Sequence, residues 1–381
     1  MSVTYPQGYR AAGVVAGLKT SGAPDVAVVI NDGPRWDAAG VFTRNRIQAA
    51  PVLWSRQVLT DGALRAVVLN SGGANACTGP EGFADTHHTA EAVAEQLGIG
   101  PIDVGVCSTG LIGERLDMPK LLAGVRSALS TAHAEGGHAA AEAIMTTDTL
   151  PKTSTFEAGY RIGGMAKGAG MLAPGMATML SVITTDAVID AADLDATFRH
   201  CVAATFDRVD ADGCMSTNDT VIVLANGASG LPADDRFAGG LHQVCADLSR
   251  QLVADAEGAS KLIDVRVVGA ASVADAEDAA RAVARSALFK CAMFGEDPNW
   301  GRVLSAVGTT SAQFDPLHID VAINGVMVCR DSGPGESRDA VDLSGRDIEV
   351  VIDLHAGDDA VTIVTTDLTT DYVHENSAYS T

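Results

Sequence analysis

One stretch of the chain, residues 163–180, combines backbone freedom with very few side chains that could do chemistry. It reads GGMAKGAGMLAPGMATML, so Lys167 and Thr178 carry its only strong functional groups. A phosphate-binding loop is not indicated, because neither GxxxxGK[ST] nor GxGxxG occurs in it. Composition alone leaves two interpretations of Thr178: the first residue of a buried strand, or a nucleophile.

The other candidates for metal or acid–base chemistry do not form a recognisable site. Asp219 and the run 297–302 (DPNWGR) offer carboxylates, but the spacing rules for metal ligands are not met. The seven cysteines include no CxxC and are odd in number, so neither a zinc knuckle nor a disulfide framework is indicated. None of the nine histidines lies in a catalytic motif. We therefore expect no metal site.

These residues must be positioned by a mixture of strands and helices. Helical periodicity is found at 121–129 after the N-cap candidate Asp117, at 194–202 after Asp190, and at 241–252. Short apolar runs predict buried strands at 26–30, 66–69, 104–107, 179–183, 221–225, 265–268, 319–323, 348–354 and 361–364. Because residues 319–364 hold several strands without helices, α+β layers are favoured over a strictly alternating parallel sheet.

Composition excludes several classes of protein. The 381 residues are 47% hydrophobic and 19% charged, which is typical of a folded chain with a sizeable core. The formal net charge is −22, and residues 178–381 hold 33 acidic but only 13 basic side chains. Such a field repels nucleic acid and anionic membranes. With neither a secretion signal nor an apolar span, we expect a soluble cytoplasmic protein.

A series of motifs extends over essentially the whole chain. They are 6–13 (PQGYRAAG), 70–79 (NSGGANACTG), 107–113 (CSTGLIG), 144–149 (IMTTDT), 167–180 (KGAGMLAPGMATML), 215–220 (MSTNDT), 257–261 (EGASK), 297–302 (DPNWGR) and 376–381 (NSAYST). In this order they resemble the ornithine acetyltransferase family, the bifunctional glutamate N-acetyltransferases of arginine biosynthesis. One departure is Gly73, where the family usually has asparagine.

The resemblance implies a fold and a processing step. The expected fold is a four-layer α/β/β/α sandwich of the N-terminal-nucleophile type, with a smaller C-terminal region. The precursor is expected to cut itself between Ala177 and Thr178. The pieces, 1–177 and 178–381, should interlock in one catalytic body, with about 291–381 as a C-terminal subdomain.

The resemblance also implies the site and its chemistry. Thr178 is the expected nucleophile, taking the acetyl group of N-acetylornithine and passing it to glutamate. The family's oxyanion hole falls on Thr109 and Gly110. The substrate-binding positions fall on Thr146, Lys167, Thr178, Glu257, Asn376 and Thr381. On the residues alone, Thr109-Gly110 is interpreted as a turn after a strand, and Glu257 as a solvated carboxylate at a helix end.

Partners and alternatives follow from the same comparison. No cofactor is expected, although some family members use acetyl-CoA as a second acetyl donor. Two copies of each piece are expected to form an α2β2 heterotetramer. The alternatives are an N-terminal-threonine amidohydrolase or aminopeptidase of similar architecture, an acetyltransferase of secondary metabolism, and a non-catalytic acidic binding module.

Overall fold

The computed structural model describes residues 2–173 and 179–378. The strands in these ranges are β1 (Tyr9–Val14), β2 (Val26–Asn31), β3 (Asp37–Phe42), β4 (Ala66–Asn70), β5 (Val104–Ser108), β6 (Lys152–Glu157), β7 (Arg161–Lys167), β8 (Leu180–Thr185), β9 (Thr220–Ala225), β10 (Leu262–Ala270), β11 (Asp320–Ile323), β12 (Val326–Arg330), β13 (Gly333–Pro334), β14 (Asp347–Asp353) and β15 (Asp359–Thr366). The helices are α1 (Ala50–Val58), α2 (Gly79–Leu97), α3 (Met118–Thr131), α4 (Gly137–Ala143), α5 (Ala191–Ala204), α6 (Phe237–Ala254), α7 (Val273–Ala284), α8 (Ala287–Phe294), α9 (Trp300–Val307) and α10 (Thr370–Ala378).

Every strand and helix that the apolar patterns predicted is present, with ends that differ by a few residues. Asp117 caps α3 as predicted, because its side chain accepts the N–H of Lys120. Asp190 occupies the N-cap position of α5, but its side chain makes no capping hydrogen bond and instead pairs with Arg35.

The first sheet has the strand order β1-β2-β4-β5. Strands β2 and β4 are buried along their whole length, which explains their continuous apolar sequence. Helices α1 to α4 pack against this sheet.

The second sheet has the order β3-β9-β8-β7-β6, and α5 and α6 pack against it. Val182 and Ile222 belong to the apolar cluster of the first sheet, whereas Ile183 and Val223 belong to the cluster beneath α5 and α6. Since successive side chains of a strand point to opposite faces, the second sheet lies between the first sheet and its own helices. The expected four-layer α/β/β/α sandwich is confirmed.

The second sheet takes strands from both sides of the expected cleavage point. Strands β3, β6 and β7 precede it, and β8 and β9 follow it. β7 pairs with β8, with Lys167 opposite Leu180, and β3 pairs with β9. Residues before and after the expected cut therefore share one sheet.

The C-terminal part forms a third sheet in the order β13-β12-β11-β14-β10-β15, and α7 packs against it. β10 pairs with both β14 and β15, so this sheet begins at Leu262, before the expected C-terminal subdomain of about 291–381. A small apolar cluster that includes Leu172, Val209 and Leu262 joins this sheet to the sandwich. None of the described helices combines the length and apolar character that crossing a membrane requires.

Candidate active site

A small cavity of about 70 Å³ lies at one end of the two central sheets. Six residues that the family resemblance implied line it, contributed by the segments after β5, α4 and α6, the end of β7, and α10: Thr109, Gly110, Thr146, Lys167, Glu257 and Asn376. Ala177, Thr178 and Thr381, the other implied residues, lie outside the described ranges.

Thr109 and Gly110 are held against the loop that follows β4. The N–H of Thr109 donates to Asn70 O, and the N–H of Gly73 donates to Thr109 O, both at 3.0 Å. Gly110 has φ +130°, and a Cβ there would lie 2.7 Å from the N of Gly73. Only glycine fits this conformation and this close approach. Within the described residues, nothing accepts a hydrogen bond from the Gly110 N–H.

Lys167 ends β7 and is almost completely buried, with 1% of its surface exposed. Its Nζ donates to Thr109 Oγ1 at 3.4 Å. No carboxylate of the described ranges lies within ion-pair distance of this amine. Burial lowers the pKa of Lys167, and the charge of Asp148 opposes that shift. Because Thr109 Oγ1 accepts from the lysine, its own hydrogen is available to another acceptor.

A buried ion network holds the loop that contains Thr146. Asp148 accepts the N–H of Thr146 at 2.9 Å and that of Gly168 at 2.7 Å. Lys152 Nζ lies 2.6 Å from Asp148 Oδ1 and 2.5 Å from Asp255 Oδ2. Burial would raise the pKa of Asp148, but the charges of Lys167 and Lys152 outweigh it and lower the pKa to about 2. Asp148 therefore ties β7 and the loop after α4 together as a carboxylate.

Glu257 follows α6 and is 8% exposed. Its Oε1 accepts the hydroxyl of Thr147 at 2.7 Å, and its backbone N–H donates to Ala169 O at 2.9 Å. The carboxylate packs against Gly170, where a Cβ would lie 2.6 Å from Oε2. Glu257 is thus a buried group in the cavity wall and differs from the solvated carboxylate that its sequence context alone indicated.

Asn376 reaches the cavity from α10, a helix with no buried residue between Thr370 and Ala378. The start of α10 is fixed by Thr369, whose hydroxyl donates to Gly258 O at 2.6 Å and accepts the N–H of Tyr372 at 2.9 Å. Gly258 has φ +61°, and a Cβ there would lie 2.2 Å from the N of Tyr372. The position of Asn376 therefore depends on a close backbone contact at Gly258.

Asn218 also lines the cavity, although neither its sequence context nor the family resemblance indicated a role for it. Its Nδ2 donates to Ala74 O at 2.6 Å and to Ser108 O at 2.8 Å. It thereby joins the loop after β4 to the end of β5, one residue before Thr109. The motif 215–220 was noticed as part of the resemblance, but nothing local to it indicates a contact over more than one hundred residues.

A larger cavity, of about 860 Å³, lies elsewhere, between β3, α1 and α5. It contains none of the implied site residues, and two of its arginines, Arg44 and Arg199, are paired with Asp207 and Asp195. Among residues 2–173 and 179–378, no three His, Cys, Asp or Glu side chains are grouped to hold a metal ion. The smaller cavity remains the candidate active site because it gathers the hydroxyl, amine and carboxylate groups.

Comparison with known proteins identifies the family of the chain. The model of the ArgJ family matches residues 10–381. The chain is 61% identical over 383 residues to the arginine biosynthesis bifunctional protein ArgJ of Thermobifida fusca, and 60% identical over 382 residues to that of Streptomyces coelicolor, with 100% of each chain covered. A crystal structure of ornithine acetyltransferase from Mycobacterium tuberculosis, complexed with ornithine, is 61% identical, covers 47% of this chain and 96% of its own, and gives a TM-score of 0.45. On the family match and the full-length identity, the chain belongs to the ArgJ family.

Proposed function

We propose that this protein acts in arginine biosynthesis, transferring the acetyl group of N2-acetyl-L-ornithine to L-glutamate through an acetyl ester on Thr178. The observation that carries the proposal is the lining of one cavity by Thr109, Gly110, Lys167 and Glu257 in a chain of this family. A hydroxyl, an N–H without a described acceptor, a buried amine and a buried carboxylate are the groups that acyl transfer between two amino acids needs.

Self-cleavage comes first in the proposed sequence. The Thr178 hydroxyl attacks the carbonyl carbon of Ala177, the C–N bond breaks, and water hydrolyses the resulting ester. Met171, a few residues upstream, has φ +54°, a conformation that costs a non-glycine residue on the order of 1 kcal/mol. This local strain lies within the motif 167–180 that carries the expected cleavage point.

Acetyl transfer then uses the new N-terminal threonine. An α-amine has an ordinary pKa of about 7.7–8.0, so its neutral fraction can accept the proton of the threonine hydroxyl. The hydroxyl attacks the acetyl carbonyl, ornithine leaves, and the α-amine of glutamate takes the acetyl group from the ester. Each of the two tetrahedral intermediates carries an oxyanion, which the hydroxyl of Thr109 and the N–H of Gly110 stabilise.

Substrate orientation is assigned by charge. Lys167, which has no described carboxylate partner, binds the carboxylate of the substrate, and Glu257 binds an ammonium group. We expect Lys167→Met to raise KM for N-acetylornithine about 10-fold or more, since a hydrogen bond to a charged group contributes about 1.5–3 kcal/mol. Lys120→Met, which removes a lysine with 54% of its side chain exposed, is the matched control. An unaltered KM in the Lys167 variant would refute the carboxylate assignment.

Assembly, location and donor range complete the proposal. The two pieces of each chain stay together, and two such units form an α2β2 heterotetramer, which native mass spectrometry would detect. The metabolites involved are those of the cytoplasm, where we propose that the enzyme works. No cofactor takes part in the ester mechanism, and acetyl-CoA is proposed as a second acetyl donor because the relatives are described as bifunctional.

The deciding experiment is the intact mass of the purified protein followed by an assay. The 39.0 kDa chain should yield pieces of about 18 and 21 kDa, the second beginning with threonine. Incubation with N-acetylornithine and glutamate should form N-acetylglutamate with little free acetate. A single uncut species without transfer would overturn the proposal, and acetate as the main product would favour the amidohydrolase alternative.

A further inference from the structure

Asp219 lies immediately before β9, beside the residue that follows Thr178. It is completely buried, and its Oδ1 accepts the N–H of Met179 at 3.0 Å. The N–H of Thr220 donates to Met179 O at 3.1 Å, and β8 runs parallel to β9 with Leu180 opposite Thr220. Met179 is therefore held at both its N–H and its carbonyl group.

The hydrogen bond to Asp219 reaches the nucleophile through one peptide group. The N–H of Met179 belongs to the planar unit whose carbonyl is that of Thr178. A restraint on this N–H is therefore one peptide group away from the nucleophile. Misplacement of a reacting group by about 1 Å can cost about 10²-fold in rate.

We propose that Asp219 is a positioning residue for Thr178, acting through the peptide N–H of Met179 in both self-cleavage and acetyl transfer. The inference rests on the proposed function, since it takes Thr178 as the nucleophile. None of the residues that the family resemblance implied has this role.

Burial favours the neutral form of the Asp219 carboxyl group, and an oxygen of that form can still accept the Met179 N–H. Oδ2 makes no hydrogen bond of ordinary geometry in the described part of the chain, although the Ser216 side chain lies near the carboxyl group, and an ionised carboxylate in such a place is costly. Burial raises the pKa of Asp219 well above its usual range, and the Met179 N–H, the Ser216 side chain and the charge of Lys167 oppose the shift. Asp207 adds to the rise, and the Cys214 thiol is another titratable group that interacts with Asp219. An accepting oxygen is therefore what the position needs, and a negative charge is not.

The test compares Asp219→Asn, which keeps a neutral acceptor of the same shape, with Asp219→Leu, which removes the acceptor without leaving a large cavity. We expect the asparagine variant to keep the self-cleavage rate and kcat within about 3-fold, with the same pH profile. The leucine variant should cleave about 10- to 100-fold more slowly and lose a similar factor in kcat, at nearly constant KM for N-acetylornithine. Amide hydrogen exchange at Met179 should accelerate in the leucine variant alone.

Asp210→Leu is the matched control for general destabilisation. Asp210 is also a buried aspartate, but it pairs with Arg281 and Arg285. The Asp210→Leu variant should have a lower unfolding temperature without faster amide exchange at Met179.

If Asp219→Asn is as defective as Asp219→Leu, or if exchange at Met179 is unchanged in both, the proposal is overturned. Asp219→Ala replaces the leucine variant if that variant does not fold. Exchange at Met179 can also be read in an uncut, inactive chain, so a failure of the proposed function would be seen separately.

Discussion

For single residues, the hydrogen-bond partners of each side chain determine which of its donors and acceptors remain available to a substrate. Thr109 accepts a hydrogen bond from Lys167, which leaves the threonine hydrogen free to meet a developing oxyanion. Gly110 is the proposed second donor, and its backbone lies against that of Gly73 at a φ of +130°. These are geometric requirements, and an added methyl group at Gly110 is enough to break the second one.

Gly110→Ala is expected to remove the second donor. The new Cβ would meet the backbone of Gly73 at 2.7 Å and would be strained at φ +130°, so the N–H must move. We expect kcat for acetyl transfer to fall by about 10²–10³, the usual cost of one oxyanion donor. Gly113→Ala is the control, since Gly113 has φ +88° with nothing within 4 Å of its Cβ position. It should cost stability only, and equal losses of kcat in both variants would contradict the assignment.

At the scale of elements, short buried networks set the distance between loops that are far apart in sequence. Asp148, Lys152 and Asp255 link the loop after α4 to the end of α6. This link places Thr146 and Thr147 beside Glu257, whose Oε1 accepts the Thr147 hydroxyl. The cavity wall is thus assembled by ions that do not themselves line it.

Asp148→Asn should lower the free energy of unfolding at pH 7 by about 3 kcal/mol, because it leaves Lys152 buried with one partner fewer. The pKa of Asp148 falls from its usual value to about 2 on folding, so its stabilisation is fully present above about pH 4. It is lost as the pH falls through about 2. The difference between wild type and variant should therefore be constant from pH 7 to 5 and shrink below about pH 4.

Urea unfolding at several pH values measures this difference. Asp32→Asn, which removes the half-exposed partner of Arg10, is the control and should cost less than about 1 kcal/mol. A difference between wild type and Asp148→Asn that does not depend on pH would mean that Asp148 is not held as a carboxylate.

Gly258→Ala tests the placement of α10. Its Cβ would lie 2.2 Å from the N of Tyr372, so the helix that carries Asn376 must shift. We expect KM for N-acetylornithine to rise about 5- to 10-fold, since one hydrogen bond contributes about 1 kcal/mol. Gly98→Ala is the control, with φ +66° and no atom within 4 Å. If steady-state kinetics give the same KM in both variants, α10 does not contribute to substrate binding.

At the scale of the whole molecule, the five-stranded sheet decides what cleavage can do. β7 and β8 lie on opposite sides of the expected cut and pair along their length, as do β3 and β9. Separating them would expose apolar surface at about 25 cal/mol per Å² and break both strand ladders. A cut between β7 and β8 therefore creates a new N-terminus, but the two pieces stay together in one sheet.

The cleaved protein is accordingly expected to behave as one cooperative unit. Both pieces should elute together in size-exclusion chromatography without denaturant and unfold in a single calorimetric transition. The Thr178→Ala chain, which cannot form the ester, provides the uncut control. Two separate transitions, or dissociation of the pieces at micromolar concentration, would contradict the shared-sheet interpretation.

Much of this organisation is present in local sequence. Runs such as 26–30 and 221–225 are apolar at every position because both faces of their strands are buried, and a run of neighbours is enough to reveal that. The cap of α3 by Asp117 is likewise predictable from local sequence, since the cap and its N–H partner lie three residues apart. The resemblance added the oxyanion pair and the substrate residues, because each lies in a short motif.

The tertiary structure alone decided the rest. Asn218 joins Ala74 to Ser108, Lys152 pairs with Asp255, and Asp219 holds Met179. These contacts cross about 40 to more than 100 residues of chain, and no periodicity or motif spacing records them. Periodic patterns arise from neighbours within a turn or a strand, whereas a buried polar group finds its partner wherever the folded layers bring one. Sequence therefore determined which elements form and which residues are proposed to carry the chemistry, and the packing of four layers determined how those residues are held.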